Sequence, residues 1–260
     1  MPAVDLKHGM FAWTDLIAHD LDEAKSFYGD LFGWTPASLP DHPASDYTLF
    51  TVGGDRVAGL TPMSEGMKAH GVPPVWVSYV LVDDVDAVVA RVEELGGAVQ
   101  LAPMDVVDSG RMSMIADPSG ASVALWQAGT HRGAERFNEP GCMSWNELMT
   151  RDPVAAREFF SELLGWTFEE VDLGERGTYH VFRVGDRPNG GMMAFPDTVP
   201  AEVPPHWDVY FTVDDVAESA GRAQALGGRI VVPPMDIEVG TFSMVSDPRG
   251  AHFTLFRERS

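Results

Sequence analysis

The 260-residue chain has a single cysteine, Cys142. One thiol cannot close an internal disulfide, so a disulfide-stapled scaffold is excluded. Cations are scarce: 18 Lys and Arg stand against 39 Asp and Glu, a net charge of −21. That charge repels phosphate backbones and no basic cluster offsets it, so nucleic acid is not an expected partner. No apolar run approaches the roughly 18 residues of a membrane-spanning helix. Met1 to Lys7 lack a basic stretch leading into an apolar one. A signal peptide and a membrane partner are therefore not expected, and the expected location is the cytoplasm. Neither Gly-x-Gly-x-x-Gly after a strand nor a Gly-x-x-x-x-Gly-Lys-Ser/Thr loop occurs, so no phosphate cradle is expected. What the chain does have is 45% apolar residues, enough for a packed core in one large or two small domains.

The sequence is written twice. Trp13, Asp20, Ala24, Phe27, Leu31, Gly33 and Trp34 return 132 residues later as Trp145, Asp152, Ala156, Phe159, Leu163, Gly165 and Trp166. Trp76, Asp83-Asp84-Val85, Gly96-Gly97 and Pro103-Met104-Asp105 return after 131 residues, and Asp117-Pro118-x-Gly120 after 130. The offset drifts only in loops, as duplicated domains would. The expected domains are 1–127 and 141–260, joined by a polar linker over 128–140 without apolar period.

Each half divides again. Residues 8–17 read as a strand. Asp20 caps a helix with Ala24, Phe27, Tyr28 and Leu31 on one face, and Gly33 closes it. Tyr47–Val52 and Val57–Thr61 read as strands about Gly53-Gly54-Asp55. Val75–Val82 reads as a strand. A helix from Asp83 or Asp84 follows, with Val85, Val88, Val89, Val92 and Leu95 on one face and Gly96 at its end. Short strands near 98–102, 111–116 and 121–126 complete the half. The pattern predicts an α+β chain whose sheets carry helices on one face only.

Asp20…Phe27-Tyr28…Leu31-Phe32-Gly33-Trp34, Val82-Asp83-Asp84-Val85…Leu95-Gly96-Gly97 and Asp117-Pro118-Ser119-Gly120, each with its second copy, resemble the vicinal-oxygen-chelate superfamily. That superfamily includes glyoxalase I, extradiol dioxygenases and bleomycin-binding proteins. Trp13-Thr14-Asp15-Leu16 and Trp145-Asn146-Glu147-Leu148 resemble a tandem-domain actinobacterial glyoxalase-like subgroup. The resemblance covers nearly the whole chain and implies duplicated βαβββ modules forming two glyoxalase/bleomycin-resistance-like domains with cup-shaped clefts. It does not fix whether a cup draws its modules from one half or from both.

Family enzymes hold a divalent metal on cleft-facing strands, and the resemblance carries those positions onto Trp13 and Trp145, Val77 and Asp208, Ala124 and Thr254, with a looser fourth near Gly59 and Gly191. An indole N–H only donates. Asp208 is the one good ligand and Thr254 a poor one, where a stable site needs three or four. No metal cofactor is therefore expected. The alternative is one divalent metal on a displaced site of Glu147, Asp208 and His252.

Strand alternation puts Trp145 with Glu147, Asp208 with Tyr210, and His252 with Thr254 on common faces. Glu147, Asp208 and His252 are the candidate catalytic residues, since a carboxylate beside an imidazole makes a general acid–base pair. Trp13, Asp15, Tyr79, Trp126, Trp145 and Tyr210 are the candidate ligand-binding residues, because aromatic walls suit flat or apolar ligands. Trp34, Trp166, Trp76 and Trp207 read as core. Arg111 reads as paired to a surface carboxylate, Cys142 as structural, and His8, His19, His42, His70 and His131 as solvated. The leading expectation is a monomer that binds a small, partly aromatic molecule, by sequestration or with metal-free catalysis. The alternative is a metal-dependent lyase, isomerase or dioxygenase.

Overall fold

The computed structural model describes residues 5–38 and 46–259; His42 lies outside them. β1 (Phe11–Ala18) leads into α1 (Leu21–Phe32). The Asp20 carboxylate accepts from the backbone N–H groups of Asp22 and Glu23, satisfying donors that the first turn leaves open. Gly33 ends the helix at φ 71°, in the left-handed region that strains other residues. Then come β2 (Thr35–Ser38), β3 (Thr48–Val52), β4 (Asp55–Pro62), α2 (Glu65–Ala69), β5 (Val75–Leu81), α3 (Val85–Val89), β6 (Ala98–Val106), β7 (Gly110–Ala116) and β8 (Ser122–Ala128).

The second half repeats this with β9 (Met143–Thr150), α4 (Pro153–Leu164), β10 (Thr167–Asp172), β11 (Thr178–Val184), β12 (Arg187–Ala194), β13 (His206–Thr212), α5 (Val216–Ala225), β14 (Arg229–Ile237), β15 (Gly240–Ser246) and β16 (His252–Glu258). Asp152 caps α4 through Ala155 N–H, with Pro153 in the first turn where its missing N–H costs nothing.

Each half forms its own eight-stranded sheet. The orders are β2-β3-β4-β1-β5-β8-β7-β6 and β10-β11-β12-β9-β13-β16-β15-β14. The central pair in each, β1 with β5 and β9 with β13, is antiparallel, and their outer neighbours β4, β8, β12 and β16 run parallel to them. The two modules of one half therefore share one concave face, and each cup belongs to a single half.

The other faces of the sheets meet in one buried core. Tyr28 packs on Phe253 of the second half, Phe11 packs on Trp166 and Trp207, and Trp76 and Trp34 both meet Phe211 edge-on. Polar anchors cross the same seam: Ser78 Oγ donates to Asn146 Oδ1, Trp34 Nε1 to the Gly141 carbonyl and Trp166 Nε1 to the Gly9 carbonyl. The four duplicated tryptophans expected in the core are buried there.

Three elements differ from the sequence reading. β2 is an extra edge strand whose residues are all exposed, so no alternation marks it; it makes the first module βαβββ like the second. The helix expected through Leu95 is regular only over Val85–Val89, and turns carry the chain on. Its valines are β-branched and crowd a helix, whereas the Ala-rich α5 runs ten residues. α2, capped by Ser64, was not expected. Among the described residues no helix is long and apolar enough to cross a membrane.

Candidate functional site

Odd-numbered residues of β1 and β5 line the first cup. Asp15 stands opposite Gly59 on β4 and Val77 on β5. Its carboxylate accepts from Trp13 Nε1 at 2.8 Å, Tyr47 OH at 2.9 Å and Tyr79 OH at 2.8 Å. Burial, and then the Asp15 charge, push both phenols well above their ordinary range, so they remain donors. Gly59 makes the cluster possible, since a Cβ there would stand 1.9 Å from Asp15 Oδ1. Trp13, Asp15, Tyr47, Val77, Tyr79, Ala124 and Trp126 are all buried.

The linker helps to bury them. Ala134 N–H donates to the Ala12 carbonyl and Glu135 N–H to the Arg56 carbonyl, and the Glu135 carboxylate grips Arg56. Trp126 Nε1 donates to the His131 carbonyl, and the His131 ring stands edge-on 4.5 Å from the Trp13 ring. His131 is therefore not solvated: Nε2 is enclosed without a partner. Burial first, and then nearby Arg56, push its imidazole down to about 4, against the opposing pull of Glu135. The unfolded chain takes up this proton near 6.5 and the fold does not. His131 thus costs stability as pH falls from 6.5 towards 4. His131→Ala should weaken that acid sensitivity and raise acrylamide quenching of tryptophan fluorescence. Unchanged quenching would show that His131 does not shield the cup.

In the second cup Trp145, Glu147, Tyr179 and Tyr210 are half-buried rather than shut in, while Asp208 and Thr254 beneath them are buried. Trp145 Nε1 donates to Tyr179 OH at 2.9 Å, and Tyr179 OH donates to Glu147 Oε2 at 2.7 Å. Tyr210 OH is a further donor to Glu147. Asp208 stands opposite Glu147 in register, where the first cup has Val77 opposite Asp15. Burial, and then the Asp208 charge, push the Glu147 carboxyl up to about 7, against the Tyr179 and Tyr210 hydrogen bonds and His206. His206 Nε2 lies 3.6 Å from Asp208 Oδ2, and His206 Nδ1 donates to the Pro204 carbonyl at 2.8 Å. Burial lowers His206, but its pairing with Asp208 outweighs that and holds it above the ordinary range. His252, at the start of β16, keeps part of its surface in solvent, and burial of the rest holds it low against the pull of Asp208.

The structure thus gathers Trp145, Glu147, Asp208 and Tyr210 in one cup and Trp13, Asp15, Tyr79 and Trp126 in the other, with His252 at the rim of the second. Tyr47, Tyr179 and His206 were not among the candidates. The 132-residue offset relates Tyr47 to Tyr179 and could have drawn attention to both. Arg111 is held by Asp86 and Asp105. Cys142 is buried, and burial pushes its thiol up to about 11, which makes it a poor nucleophile.

The donors do not fit a family-type ion. Trp13, Val77 and Ala124 offer no lone pair, and the Trp145 N–H is spent on Tyr179. Among the described residues, no group of three or more His, Cys, Asp or Glu is placed to hold a metal ion.

Two βαβββ modules sharing one cup define a vicinal-oxygen-chelate domain, and this chain has two. The sequence model of the glyoxalase/bleomycin resistance protein/dioxygenase superfamily matches residues 10–125, and that of the glyoxalase-like domain matches 146–256. The chain belongs to this superfamily. It is 42% identical to CFP32 of Mycobacterium tuberculosis, whose name assigns it provisionally as a glyoxylase, over 97% of this chain and 96% of that one. It is 38% identical to the anthracycline biosynthesis protein DnrV of Streptomyces peucetius, over 96% and 94%. The Mn(II)-bound glyoxalase of Novosphingobium aromaticivorans shares the fold at TM-score 0.67 and 20% identity, over 96% of this chain and 82% of that one. The 2,3-dioxygenase LapB of Pseudomonas sp. KL28 does so at 0.65 and 14%, over 97% and 95%.

Proposed function

We propose that the second cup binds a small, partly aromatic organic molecule without the family's ion, and that Glu147 exchanges a proton with it. The observation that carries this reading is the contrast between equivalent positions. Asp15 is enclosed among three donors in a shut cup, while Glu147 is half-buried, faces Asp208 and titrates at about 7. A carboxyl balanced near neutral pH can both give and take a proton, which is what general acid–base work requires. Trp145, Tyr179, Tyr210 and Phe256 supply aromatic wall. The name of DnrV places that relative in anthracycline biosynthesis, which supports an aromatic ligand here. We place the protein in the cytoplasm as a monomer.

Elemental analysis combined with a thermal-shift screen of aromatic compounds tests the reading. Less than stoichiometric metal is expected, together with ligands that raise the melting temperature and lose their effect in Trp145→Ala. About one ion per chain, with stability lost on chelation, would overturn it.

A further inference from the structure

Asp208 and Thr254 are only 3% and 1% exposed, yet Asp208 Oδ2 and Thr254 Oγ1 have no hydrogen-bond partner. Their strands β13 and β16 are parallel neighbours with Tyr210 opposite Thr254, so both side chains share the concave face with Tyr210 and Glu147. The cation nearest Asp208 is His206, whose Nε2 stands at 3.6 Å, beyond hydrogen-bond reach. Buried polar atoms are almost always hydrogen-bonded, and a carboxylate oxygen with only a loose ion pair is a costly exception. The first cup has the apolar Val77 and Ala124 at the equivalent places, which offer no side-chain acceptor. The two open acceptors are therefore peculiar to the half-open cup rather than a requirement of the fold.

We infer that the second cup takes an aromatic ammonium compound, its N–H groups on Asp208 Oδ2 and Thr254 Oγ1 and its ring against Trp145 and Tyr210. This rests on the reading that the cup binds a small aromatic molecule, and it names the class. A neutral hydroxyl has one proton to donate and brings no charge to the carboxylate. An ammonium has three donors and the opposite charge. Aromatic faces attract the same cation, and a protein of net charge −21 concentrates cations around it.

The charge balance gives this binding a pH dependence. Glu147 faces Asp208, His206 and Tyr210 from β13 and Tyr179 from β11, while Gly191 of β12 adds no charge and His252 of β16 acts on Asp208. A cation beside Asp208 favours ionised Glu147, so below about 7 its entry is coupled to release of the Glu147 proton. Rising pH also strips the competing charge from His206. Both effects make ammonium binding tighten as pH rises.

Calorimetric titration of the full-length protein with 2-phenylethylammonium and with 2-phenylethanol, which has the same ring and chain but no charge, tests the inference. The ammonium should bind at least about tenfold tighter, and should gain about tenfold more between pH 6 and pH 8 for one expelled proton. Asp208→Asn should abolish the preference. Thr254→Val, which keeps the side chain's shape, should reduce it several-fold and serves if Asp208→Asn fails to fold. Equal affinity for the two compounds, or a preference that survives Asp208→Asn, overturns the inference. If neither compound binds while other neutral aromatics do, the ammonium class is wrong and the aromatic cup stands. If no aromatic compound binds, the reading of the cup fails with it.

Discussion

At pH 8 the Glu147→Gln protein should be more stable than the native one by roughly 2–3 kcal/mol, and near pH 4 the two should differ little. The native carboxyl titrates at about 7, against 4.5 in a solvated chain. Between these values the folded state keeps a proton that the unfolded state has released, so the unfolded state binds fewer protons and stability falls as pH rises. The contribution is whole below 4.5 and gone above 7. Glutamine has no charge to bury, still accepts from Tyr179 OH, and can donate its amide across to Asp208. Urea melts of both proteins from pH 4 to pH 8 measure the difference, and parallel curves would show that Glu147 is not strained by its surroundings. The same substitution should end proton exchange with a bound ligand while leaving the aromatic walls in place. A stabilising change that removes function is the expected mark of a site held at a cost to the fold.

How far this site could be read from the sequence depended on how local its causes are. Trp13, Asp15, Trp145 and Glu147 were legible because strand alternation and duplication both place them, and Asp208 because it breaks the duplication with Val77. Tyr47 and Tyr179 were harder: Tyr47 was read into a strand over 47–52, but nothing local aims its hydroxyl at Asp15. His131 was misread because the linker's composition is that of a solvated loop. Its docking on Ala12 and Arg56 depends on partners far away in the chain, which no window of sequence shows. His206 differs: alternation puts it on the face of Asp208, two residues on along β13, and only the pairing of β13 with β9 brings it near Glu147. The cups themselves were predicted, but their assignment to single halves needed the observed pairing of β1 with β5 and β9 with β13. Both alternatives satisfy the same alternation.

Gly59→Ala should cost about 3–5 kcal/mol, and Gly191→Ala about 1–2 kcal/mol, although the two glycines occupy equivalent places. A Cβ at Gly59 would stand 1.9 Å from Asp15 Oδ1 and 2.2 Å from Tyr47 OH. Neither can withdraw, because Asp15 holds three donors and the lining around them is buried. The methyl group must break buried hydrogen bonds to a carboxylate, the costly kind of loss. A Cβ at Gly191 would stand 1.8 Å from Tyr179 OH, an equally impossible contact. Tyr179, however, is half-buried and can turn towards solvent, where water takes over its hydroxyl. The smaller loss has a chemical consequence instead. Without Tyr179 the Glu147 carboxyl loses a hydrogen bond that favours its charged form, so it should titrate above 7. Urea melts measure the two costs, and NMR titration of the Glu147 carboxyl in Gly191→Ala measures the shift. Equal costs with an unmoved titration would mean that the second cup is as rigid as the first, and that its half-open state gives Glu147 no freedom to act.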